Sequence, residues 1–146
     1  MNLYVIGPQH IDRAWREGAH NLSKAFDRYN EECTVEQMRM RLTRGEATLL
    51  TIVEDGKHTV WVAVEFIQYP NVRALHVAAL YAPHALTEAA FQLVMDYGHA
   101  GGASVIQCAA SGAAQRLYER KCGYEPAYTL LRRPICQVAA AEATAT

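Results

Sequence analysis

Ala113-Ala114-Gln115-Arg116-Leu117-Tyr118-Glu119-Arg120-Lys121-Cys122-Gly123-Tyr124-Glu125-Pro126 is the run on which the fold turns. Ala114, Leu117 and Tyr118 recur at helical spacing and so share one face. Gly123 stands where a helix end favours a residue that tolerates left-handed backbone. After it come β-prone side chains, and a last strand over residues 124–135 is expected. A short helix therefore stops at a glycine and runs straight into a strand.

Upstream, residues 104–109 read as a strand, with Ser111 a candidate cap for the helix that follows. Residues 87–97 read as a helix with Ala90, Phe91, Val94 and Met95 inward, closed by the glycines from Gly98 to Gly102. Three strands precede it, over 47–54, 58–69 and 73–81. Asp55-Gly56 makes a tight turn between the first two, and Pro70-Asn71 breaks the second from the third. Trp61 sits in a continuous apolar run and is assigned to the core.

Before these strands, Thr34 followed by Gln37 has the form of a capping box. It opens a helix carrying Val35, Met38 and Leu42 that Gly45 stops. Ile11, Ala14, Trp15, Ala19, Leu22, Ala25 and Phe26 fall at steps of three and four, which predicts one amphipathic helix. Residues 2–6 form a first strand ended by Gly7-Pro8. The order is β-α-α-β-β-β-α-β-α-β: an α/β domain over residues 1–136 with no repeat or linker. The Ala/Thr-rich tail, 137–146, lacks periodicity and would need a partner to become ordered. That ordering costs about 1–2 kcal/mol per residue for the backbone.

The 146 residues suit one domain, and 51% hydrophobic with 20% charged residues is ordinary for a soluble protein. A formal net charge of -1 gives no global pull toward nucleic acid or membrane. Arg116, Arg120, Lys121, Arg132 and Arg133 are candidates for a basic patch, and read first as a solvated helix face and strand end. The four cysteines form no C-x-x-C pair and no metal-ligand spacing, so no metal is expected and reduced thiols in a cytoplasmic compartment are. No signal peptide and no membrane-spanning run are expected either.

The element order, together with Ala114, Leu117-Tyr118 and Gly123-Tyr124-Glu125-Pro126, resembles the GCN5-related N-acetyltransferase (GNAT) family over roughly residues 2–135. The resemblance implies a mixed, twisted sheet with helices on both faces. It also implies acetyl transfer from acetyl-coenzyme A (acetyl-CoA) to an amine. In that family a loop R/Q-x-x-G-x-G/A at a helix start holds the pyrophosphate, through free N–H groups and glycines that let the backbone approach. The matching segment here runs from Leu80 and Tyr81 to Leu86, Thr87, Glu88 and Ala89. It has no glycine, no arginine or glutamine at its start, and is about two residues short. The same segment reads as an ordinary helix start with Thr87 as N-cap and Glu88 favourable to the helix dipole.

Tyr118 matches the family tyrosine that protonates the departing thiolate, and reads equally as a packing tyrosine. Glu65 and His76 are the candidates for the base that takes the amine proton. By alternation Glu65 points away from Val64 and Phe66, which also suits a solvent-facing residue; His76 also suits a satisfied histidine. Gln107 and Cys108 occupy a strand where some family members carry a carboxylate, and no His or Asp stands beside Cys108 to make it a nucleophile.

A second expectation belongs to another class. The chain's wording, in Asn71-Val72-Arg73-Ala74-Leu75 and in Arg116 to Lys121, looks similar to small GNAT-like proteins of tailed bacteriophages with degenerate phosphate loops. That likeness implies a non-catalytic structural or assembly protein, virion-associated, with protein partners or an oligomer.

Overall fold

The computed structural model describes residues 1–29 and 32–135. The sheet grows from the turn at Asp55-Gly56, where both residues take positive φ (53° and 74°), the geometry that lets two strands reverse in two residues. It joins β2 (Thr48–Glu54) to β3 (Lys57–Gln68). β3 pairs antiparallel with β4 (Arg73–Tyr81), and β1 (Asn2–Ile6) pairs antiparallel with β2. β5 (Val105–Cys108) lies parallel to β4, giving the order β1-β2-β3-β4-β5. Leu49 and Leu50, neighbours on β2, are both fully buried against opposite layers, which is why this strand reads as a continuous apolar run.

One layer holds α1 (Ile11–Glu17), α2 (Ser23–Tyr29) and α3 (Val35–Thr43). It packs Ile11, Ala14, Trp15, Leu22, Phe26, Met38 and Leu42 on Leu49, Trp61, Ala63 and Ala79. The expected capping box is present: Thr34 Oγ1 accepts from the Gln37 N–H (3.2 Å), and Gln37 Oε1 accepts from the Thr34 N–H (2.9 Å). The single helix expected from Ile11 to Phe26 is a correction. Gly18 adopts φ 142°, ends α1, and starts a 3-10 turn over Ala19–Leu22 before α2 begins. The apolar spacing runs on across the break, so every expected core contact survives while the axis changes.

α4 (Glu88–Ala100) covers the other face, placing Ala90 and Val94 on Val62, Val64 and Leu75. α5 (Gly112–Cys122) follows β5 and ends at Gly123 with φ 72°, the left-handed cap its sequence calls for. Helices thus lie on both faces of a mixed sheet. The last expected strand is a second correction. Residues 124–135 form no strand. β-prone residues make a strand only where an edge pairs with them, and Pro126 and Pro134 each lack a ladder donor. The arm's far end is instead held by Arg132 Nη2 at 2.6 Å from Glu32 Oε1. The tail expected to need a partner, 137–146, lies outside the described residues, as does Cys136.

A Cβ on Gly18 would stand 2.9 Å from Trp61 Nε1 and meet a φ of 142° that side chains avoid. Gly18→Ala should lower stability by about 2 kcal/mol. Urea unfolding checks this; an unchanged midpoint would mean that the helix break tolerates a side chain.

Candidate functional site

The site is shaped by where two strands part. β4 and β5 pair only as far as Val77 with Cys108, while β4 continues to Tyr81. β5 ends at that rung, and β4 runs on without it. Just past the rung, β4 carries one extra residue. Ala79 pairs with Ala63 but Val77 pairs with Val64, so Ala78 is a bulge. Without it His76 would alternate onto the α4 face; with it, His76 faces the α1–α3 layer and Val77 faces α4.

The bulge creates a polar row. Glu65, His76 and Gln107 are direct cross-strand neighbours on β3, β4 and β5. Gln107 Nε2 reaches Tyr69 Oη (3.0 Å) and His76 Nδ1 (3.2 Å). As donor to Nδ1, it fixes a neutral ring carrying its proton on Nε2. Burial pushes the His76 pKa down, against the pull of the Glu65 carboxylate. Glu65 does not stand in open solvent. Its side chain is 22% exposed and its carboxylate accepts from Arg41 Nη2 of α3, while Arg41 Nε lies 3.7 Å from Glu46 Oε2. The Arg41 guanidinium is held further toward its charged form by that hydrogen bond. Cys33 shares this neighbourhood, its thiol pushed up by burial and partly offset by Arg41.

Tyr118 lies on the opposite face. It lines a small apolar cavity with Val77, Leu80, Leu86, Phe91, Val94, Cys108 and Tyr124. The Tyr124 ring sits 5.6 Å from Phe91 and 5.9 Å from Tyr118, so three aromatics cluster on the cavity wall beside the ends of β4 and β5. The remaining volume is about 20 Å³, room for about one water. Burial raises both phenols, and Cys108 adds to it, so Tyr118 keeps its proton well past neutrality. The Cys108 thiol is likewise raised by burial, against a hydrogen bond from Tyr124 that lowers it.

The remaining expected site residues divide between these surroundings. Leu80 and Leu86 turn into the apolar cavity. Tyr81 faces the other layer, with Lys24 Nζ 5.2 Å above its ring. Thr87 caps α4, its hydroxyl accepting the Ala90 N–H at 3.1 Å. Glu88 and Ala89 form the first turn of α4 and are exposed. Ala85 takes φ 77°, so the loop keeps a left-handed turn without the glycine that usually makes one. Arg41, Tyr69 and Tyr124 were not legible as site residues. The signal that would find them is register, which residue types do not carry.

No protein-family model and no curated protein matches the chain. Solved structures do. The chain is similar to a probable acetyltransferase with a TM-score of 0.63 and 17% identity, over 93% of this chain and 99% of that one. An aminoglycoside acetyltransferase from an uncultured soil metagenomic sample also gives 0.63 and 17%, over 92% and 98%. A predicted acetyltransferase with acetyl-CoA from Clostridium acetobutylicum gives 0.59 and 14%, over 91% and 95%. At these identities the likeness establishes the fold: a GNAT-type α/β fold.

The lowered pKa of His76 makes stability depend on pH. Unfolded histidine binds its proton near pH 6.5, while the buried ring in the folded chain resists it. Below that pH the unfolded state holds more protons, so stability falls as pH drops from neutral toward the folded pKa. His76→Gln should flatten that loss between pH 7.5 and 5.5, read from urea midpoints. Equal losses in both proteins would remove His76 as the cause.

Proposed function

We propose that this chain is a GNAT-fold protein whose acetyl-CoA cleft has closed, and that it serves as a structural or assembly protein rather than an acyltransferase. One observation carries the reading. Tyr118, Tyr124 and Phe91 crowd the cavity beside the ends of β4 and β5, which holds about 20 Å³. A thioester and its pantetheine arm need far more than one water's space.

The loop at α4 points the same way. Its first turn presents Glu88, a carboxylate, where a pyrophosphate would approach. The Ala90 N–H is already taken by Thr87. No glycine opens the backbone between residues 57 and 97. These residues do not fit the cofactor. The chain's likeness in wording to small phage GNAT-like proteins supports a virion-associated or assembly role.

A second reading, acyl transfer to an amine, is favoured by the polar row. A neutral His76 and a protonated Tyr118 have the protonation states that a base and an acid need. Acetyl-CoA is the ligand to test, given its presence with a solved structure of this fold.

Isothermal titration of the full chain with acetyl-CoA separates the two. No heat of binding up to millimolar cofactor is expected. Micromolar binding would overturn the closed-cleft reading. Tyr118→Phe would then be expected to lose about 10²-fold or more in transfer, the scale of a general acid.

A further inference from the structure

Among the described residues, the outer edge of β5 joins no ladder, and neither does the arm at 124–135, whose composition suits a strand. β5 is an outer strand; beyond β4 it has no ladder partner among the described residues. Open edges of this kind template pairing with another chain. Val105 on this strand is 45% exposed, although it belongs to a type that usually packs.

The arm, residues 124–135, is the complementary half. Tyr128, Leu130, Leu131 and Ile135 are 80%, 69%, 87% and 86% exposed. Four large apolar side chains within eight residues, all in water, mark a surface that something covers. The arm leaves the body stiffly: Gly123 ends α5, and Pro126 biases Glu125 toward extended backbone. Its root is fixed where the Tyr124 ring packs on Phe91 and Tyr118. Its far end reaches Glu32 through Arg132. Between those points its course makes no ladder with its own β5.

We propose that the arm of each chain pairs with the β5 edge of a second copy, forming a two-fold dimer by strand exchange. The occupant follows from the two deficits. An unrelated partner would cover either the arm or the edge. A second copy related by a two-fold axis supplies an edge to each arm and an arm to each edge, and the assembly closes. This inference does not rest on whether the cofactor cleft is closed.

Light scattering of the full chain during size exclusion should give twice the mass of one chain at micromolar concentration and above. Thr129→Pro removes a ladder donor from the arm's centre, and Leu131→Asp puts a charge on its apolar surface. Both residues are exposed, so both variants should fold, with unchanged far-ultraviolet circular dichroism, and run as monomers. Amide hydrogen exchange at Val105–Cys108 should be slow in the parent and at least tenfold faster in both variants. A monomeric parent overturns the proposal. So does a dimer that survives both substitutions, or β5 exchange that is equal in parent and variants.

Discussion

One extra residue in β4 decides what stands on each side of this sheet. The bulge at Ala78 shifts the alternation between Ala79 and Val77. Above it, Ala79 and Tyr81 face the α1–α3 layer; below it, His76 faces that layer in their place, and Val77 joins Leu75 against α4. A strand's faces are fixed by a period of two, so a single insertion exchanges them for the whole remainder. The polar row and the apolar cavity both exist because of that exchange. The β4–β5 ladder ends at Val77, next to the bulge, and the aromatic-lined cavity lies beside that end.

The two halves of the site consequently share rungs but not a face. His76 and Gln107 stand on one side, and Val77 and Cys108 follow immediately on the other. A transfer enzyme would use a gap there as the passage between an acid and a base. Here Tyr118, Tyr124 and Phe91 line the cavity at that place, and Glu65 on the far side is engaged by Arg41. Glu65, Gln107 and His76 each have a side-chain partner within the chain, and no described buried side-chain polar atom is left without one.

What could be read from sequence was whatever depends on local chemistry. Asp55-Gly56 needs positive φ at two residues and announces a hairpin. Thr34 with Gln37 announces a helix start, and Gly123 a helix end. Trp15 and Trp61 follow from apolar spacing. The fold was legible because these signals agree in order. The failures are those where distant pairing decides. Gly18 interrupts a helical pattern that does not itself falter. Ala78 is an alanine among alanines and gives no sign of a bulge. Residues 124–135 have strand composition, but composition does not supply an edge. Tyr118, Glu65 and His76 could be nominated, yet their division between two faces required the register. Arg41 and Tyr124, which settle their surroundings, come from elements far away in sequence.

The most direct test of the account is methyl nuclear magnetic resonance of Val77, Leu80, Leu86 and Val94, the aliphatic lining of the cavity beside Tyr118. The signals would be followed while coenzyme A and acetyl-CoA are added. Unmoved lining signals at saturating nucleotide are the predicted result, because the aromatic cluster already crowds the cavity. Shifts concentrated at these four residues would contradict it, and would show that the cleft opens to receive the thiol arm.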